Sequence, residues 1–150
     1  MKKSNFNVQV NPRLLAVAAL LLLMTGGYIN MKKKNRADEA AKLPFYNVEL
    51  STVPDGQYHG KTYTSFLHLQ LNVIVENHQL KDIQVVENDG LDGETARPII
   101  NRMIEANKTV VPAIQGAELG SLVYISCVDS ALHDGIENES TEISKSAKEN

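Results

Sequence analysis

The chain has 150 residues, a formal net charge of -3 and one cysteine, which bounds it to one modest domain and rules out an internal disulfide. The charge is unevenly divided: seven basic and no acidic side chains up to Arg36, then eight basic and eighteen acidic. The acidic body lacks the clustered Lys/Arg surface that phosphate neutralisation needs, which excludes nucleic acid as a partner.

A basic segment, residues 1–13, precedes an uncharged apolar run at 14–31. Eighteen helical residues at about 1.5 Å each span roughly 27 Å, against ~30 Å of hydrocarbon, so the run is read as a spanning anchor or a long signal-peptide core. Lys32, Lys33 and Lys34 follow at once, and no A-x-A cleavage pattern stands just before them. The expectation is therefore an uncleaved, single-pass transmembrane signal anchor. Basic residues on both flanks leave its orientation open by charge alone. Residues 32–49 read as a linker, in which Pro44 opposes a continuous helix.

The folded domain is expected over residues 50–133. Pro54-Asp55-Gly56 signals a turn, and Tyr58 to Tyr63 a short strand broken by Gly60. From Phe66 to Val75 the apolar residues Leu67, Leu69, Leu71, Val73 and Val75 alternate with His68, Gln70 and Asn72, the period of a half-buried strand. Glu76-Asn77-His78-Gln79 connects it to a second strand, Leu80 to Val86, in an antiparallel hairpin. An acidic loop, Glu87 to Gly93, leads to a helix from about Glu94, with Pro98 in its first turn and Ile99, Ile100, Met103 and Ile104 on one face. Thr109 to Ala113 reads as an edge strand or an extended lead. Ile114-Gln115-Gly116-Ala117-Glu118-Leu119-Gly120-Ser121 then turns into a last helix, Leu119 to Leu132. Residues 137–150 hold one large apolar side chain, Ile143, and the segment from 134 to 150 reads as a disordered tail. The fold class is α+β, an antiparallel sheet packed with two helices.

Catalytic and metal chemistry find no carrier in this pattern. His59, His68, His78 and His133 stand singly, with no H-x-x-x-H or His/Cys cluster, and each reads as a surface histidine. There is no G-x-S-x-G elbow, and Cys127 lies on the apolar stripe of the last helix, where a buried structural thiol is expected. What the pattern does offer is an anion-ready turn. A Gly-Ala pair at a helix start leaves backbone N–H groups without intrahelical partners, and such groups bind phosphates and carboxylates.

Asp55-Gly56-Gln57-Tyr58-His59-Gly60, the strand pair, the run Val111 to Ser121 and a helix closing on Ala131-Leu132 occur in an order that resembles the FMN-binding domain family. That family includes the C subunit of the sodium-translocating NADH:quinone reductase and the G subunit of the Rnf complex. The resemblance covers Asp55 to Leu132. It implies a membrane-anchored domain on the extracytoplasmic side of the cell membrane, carrying FMN and passing electrons among membrane redox proteins. The family motif V-D-A-V-S-G-A-T-x-T-S ties FMN through its threonine, and here Glu118 stands at that threonine, Gln115 at the serine, Pro112 at the aspartate and Gly120 at the second hydroxyl residue. Gly116, Ala117 and Ser121 match.

Without the threonine hydroxyl the covalent linkage cannot form. A carboxylate about 4 Å from a phosphate charge, at an effective dielectric of about 20, also costs on the order of 4 kcal/mol, roughly a thousandfold in affinity. The resemblance leaves noncovalent FMN, or riboflavin, held by Gln115, Gly116, Ala117, Glu118 and Ser121, with Glu94 and Thr95 resembling a Glu-Thr pair near the family's flavin. The alternatives are a flavin-free interaction or assembly module at the membrane, and a surface-anchored lipid or small-ligand binder.

Overall fold

In the computed structural model of the chain, residues 12–146 are described, apart from the side chains of 12–20, 22–24, 26, 27, 139 and 141–146. Most of the expected basic segment, residues 1–11, therefore lies outside the described residues, as does the end of the expected tail, 147–150. The elements in chain order are α1 (Pro12–Ala40), a 3-10 turn (Leu50–Thr52), β1 (Gly56–Tyr63), β2 (Leu67–Glu76), β3 (Gln79–Gly90), α2 (Gly93–Ala96), α3 (Ile99–Ala106) and α4 (Glu118–Ser146). They divide into two units, Met1–Asn35 and Arg36–Asn150.

The first unit holds the greater part of α1, on which Leu21, Tyr28, Ile29 and Met31 are exposed apolar side chains. Among the described residues no helix is long and apolar enough to cross a membrane. Most side chains of the expected anchor at 14–31 lie outside the described set.

The second unit is an α+β domain on a three-stranded antiparallel sheet of order β1-β2-β3. Strict alternation puts Leu67, Leu69, Leu71, Val73 and Val75 on the covered face, where all five are buried, each stabilising the fold by about 1.5–3 kcal/mol relative to exposure. β2 and β3 meet at Asn77-His78, both at positive φ (53° and 57°), the backbone of a type I′ hairpin turn. The Asp55 carboxylate accepts both N–H groups of this turn, at 2.8 and 3.1 Å, tying the tip to the start of β1. On β3 the register shifts twice against β2, between Gln70 and Leu71 and between Ile74 and Val75. The shifts leave Lys81 and Val86 as extra residues, so Leu80 and Ile83, of opposite parity, both turn inward and are buried.

α4 crosses β1 and β2, while α3 packs on β3. The approach of α4 to β1 needs Gly60: a Cβ there would stand 2.7 Å from the Cys127 carbonyl oxygen and 3.1 Å from Ala131 Cβ. Cys127 is buried as expected, and that burial pushes its thiol pKa up to about 11.

β3 runs on to Gly90, so the first half of the loop expected over Glu87 to Gly93 is strand paired with β2, and four larger boundaries also differ from the sequence expectation. The helix expected from Glu94 is two helices, because Pro98 has no N–H to give the Glu94 carbonyl, and α3 restarts at Ile99. The run 109–113 is irregular, with a bend at Thr109, and joins no strand among the described residues. The last helix does not stop at Leu132 with a disordered tail from 134; it continues to Ser146. Ile136 packs on the core and Gly135 lies flush on the Tyr58 ring, where an added Cβ would sit 2.2 Å from a ring carbon.

The linker expected at 32–49 is the fourth difference, because much of it belongs to the domain. Ala40 is fully buried, and the Ser65 N–H donates to the Glu39 carboxylate at 2.8 Å. Residues 44–48 form a strap along α4. Ser126 Oγ donates to the Pro44 carbonyl at 2.9 Å. The buried Asp129 carboxylate accepts the N–H groups of Tyr46, of Asn47 at 2.9 Å and of Val48 at 2.9 Å. The Tyr46 ring stacks on His133, centroids 3.7 Å apart and planes 12° from parallel.

Candidate functional site

The turn before α4 is built on Gly116, whose φ of +83° is open to glycine and costly to other residues. Nothing lies within 4 Å of the place a Cβ would take there, so the turn faces open space. Ser121, fully buried, closes the other side: its Oγ accepts the Ile114 N–H at 2.9 Å, and its own N–H reaches the Ala117 carbonyl at 2.9 Å. Ala117 is buried beneath, while Gln115 is exposed.

Glu118 occupies the anion position itself. Its carboxylate accepts the Gly116 N–H at 2.9 Å, and together with its own N–H this holds the carboxyl pKa below the ordinary glutamate range. An acidic residue in the first turn also complements the helix dipole. Because the folded pKa is the lower one, this interaction is present above the unfolded value and is lost as pH falls through the folded value. A carboxylate-detected NMR titration is therefore expected to place the Glu118 midpoint below that of an unstructured glutamate. A midpoint at or above that reference would contradict the hydrogen-bonding described.

The two stretches expected to form the site are brought to one joint. Glu94 and Thr95 lie exposed on α2, and α2 seats against α4 at Gly120, where an added Cβ would come within 2.9 Å of Ala96 Cβ and of the Asp92 carbonyl oxygen. Glycine in place of the family's hydroxyl residue is thus a packing requirement here. Glu94 accepts from Asn88 Nδ2 at 2.6 Å and pairs with Arg97 at 3.5 Å, an exposed ion pair of small energetic weight. One turn below Gly120, the buried Tyr124 hydroxyl makes no hydrogen bond; burial first, then the Glu94 charge, push its pKa up to about 12 against the opposing Arg97.

A groove of about 420 Å³ runs along α2 and α3, lined by Asp82, Glu94, Arg97 and Asn101 among others. A second, of about 470 Å³, lies between residues 47–51 and 107–110. Neither is lined by residues 115–121, so the motif turn and the grooves are separate features.

The FMN implied by the resemblance does not fit this turn as a covalent group. Position 118 carries no hydroxyl, and its carboxylate already takes the N–H that a phosphate would need.

Residue-by-residue reading missed Tyr46, Ser126, Asp129 and His133, which act together in the strap. The available signal was the spacing of Ser126, Asp129 and His133 at three and four residues, a polar stripe beside the apolar one on the same helix. In comparisons with known proteins, no family model, no curated protein and no solved structure matches the chain.

Proposed function

We propose that the chain is a membrane-anchored module, carried on the extracytoplasmic side, that keeps the plan of an FMN-binding domain without covalent flavin and acts as an interaction or assembly module beside membrane partners. The observation carrying this reading is the Glu118 carboxylate on the Gly116 N–H. The protein supplies its own anion where the resemblance implies a phosphate. The apolar run at 14–31 and the exposed Leu21, Tyr28, Ile29 and Met31 support the anchor.

A second reading, noncovalent FMN or riboflavin with electron transfer, draws on a different observation. The groove beside Glu94 and Arg97 is open and sets Ile83, Ile100 and Ile104 beside its polar residues, and a flavin ring held there would leave its phosphate or ribityl end away from Glu118. The full chain purified in detergent separates the two. The expected result is a colourless protein that leaves the fluorescence of added FMN and riboflavin unchanged. A stoichiometric yellow chromophore released by acid would overturn the flavin-free reading in favour of the second. Glu118→Thr, produced with a flavin transferase, is expected to remain unlabelled, since Gln115, Pro112 and Gly120 also depart from the motif.

A further inference from the structure

Midway along α4, about four turns on from Glu118, three metal-ligating side chains converge. His133, Asp134 and Glu137 each offer one ligand atom, and these atoms lie within 4.8 Å of one another. His133 and Glu137 are four residues apart and so share a helix face, with Nε2 3.9 Å from Glu137 Oε1. Two metal bonds of about 2.1 Å at a tetrahedral angle put their donors roughly 3.4 Å apart, so the two atoms need only close by about half an ångström onto an ion.

The imidazole is positioned from two sides. Tyr46 covers one ring face in a parallel stack, and Tyr46 is itself fixed by the Asp129 clasp on its N–H. Nδ1 is shielded from solvent and makes no hydrogen bond, but stands 3.6 Å from Asp134 Oδ1. A carboxylate on that side favours the proton at Nδ1, which turns the Nε2 lone pair outward toward Glu137. This is the arrangement by which outer-shell carboxylates orient metal-binding histidines.

We propose that His133 Nε2 and the Glu137 carboxylate chelate one divalent transition-metal ion, with Asp134 orienting the imidazole and water completing the coordination. The donor set, one imidazole nitrogen with carboxylate oxygen, suits Zn2+ and its neighbours in the first transition series and disfavours Mg2+, which takes oxygen ligands. The competing arrangement is a protonated imidazole paired with both carboxylates and no metal.

Calorimetric titration of ZnCl2 into the full chain in detergent distinguishes them. Saturation at one equivalent is expected, unaffected by a hundredfold excess of Mg2+. Glu137→Gln is expected to weaken Zn2+ at least tenfold, and because that side chain is 70 % exposed the change leaves the strap untouched. His133→Asn is expected to do the same while also loosening the Tyr46 stack, so the glutamine variant carries the decision. Absence of a one-equivalent isotherm, or an affinity unchanged in Glu137→Gln, overturns the site.

Discussion

Asp129→Ala is expected to destabilise the domain by about 3–5 kcal/mol, lowering its melting temperature by roughly 10–20 °C. The carboxylate is fully buried and accepts three backbone N–H groups in succession, from Tyr46, Asn47 and Val48. Hydrogen bonds to a charged acceptor contribute about 1.5–3 kcal/mol each, less when they share one group, and the donors left behind lose their partner inside the protein. Asp129→Asn keeps one acceptor oxygen and should fall between wild type and alanine. Thermal unfolding of the full chain followed by circular dichroism reads both. A shift of only a few degrees for alanine would show that the strap is a loose overlay and not a fixed part of the domain.

Gly60→Ala is expected to cost about 1–3 kcal/mol, the usual range for overpacking a close contact. The new Cβ would meet the Cys127 carbonyl oxygen at 2.7 Å, with the Cys127 sulfur and Ala131 Cβ at 3.1 Å. The first of these is helix backbone, which cannot rotate aside, so α4 has to lift from β1. Gly56, at the start of the same strand, is the internal control: a Cβ there meets nothing closer than the Tyr58 ring at 3.8 Å, and Gly56→Ala should move the melting temperature little. Equal effects at the two positions would mean that backbone freedom, and not contact with α4, is what Gly60 supplies.

The residues that were legible in the sequence are those whose energetics follow a local period. Leu67 to Val75 alternate and are buried on alternate positions, and the Asn77-His78 turn lies where the polar break falls between two β-rich runs. Leu80 and Ile83 were harder, since a register shift changes which face a residue takes and leaves no trace in composition. The strap was illegible for a related reason. It docks through main-chain N–H groups onto Asp129, and every non-proline residue carries such a group. The helical continuation past Leu132 depended on Ile136 finding the core and Gly135 finding Tyr58, contacts with segments far away in sequence. At the motif turn, an acidic first-turn residue complements the helix dipole wherever it points, but that Glu118 folds back onto the N–H of Gly116, in the turn ahead of its helix, depends on a backbone shape that composition does not carry.

The strap also sets an order of events during synthesis. Tyr46 leaves the ribosome well before Asp129, its partner 83 residues later. At about 5–20 residues per second the interval is roughly 4–17 s. Throughout it the hairpin can close on its own local pairings, while residues 44–48 wait for a helix that has not yet been made.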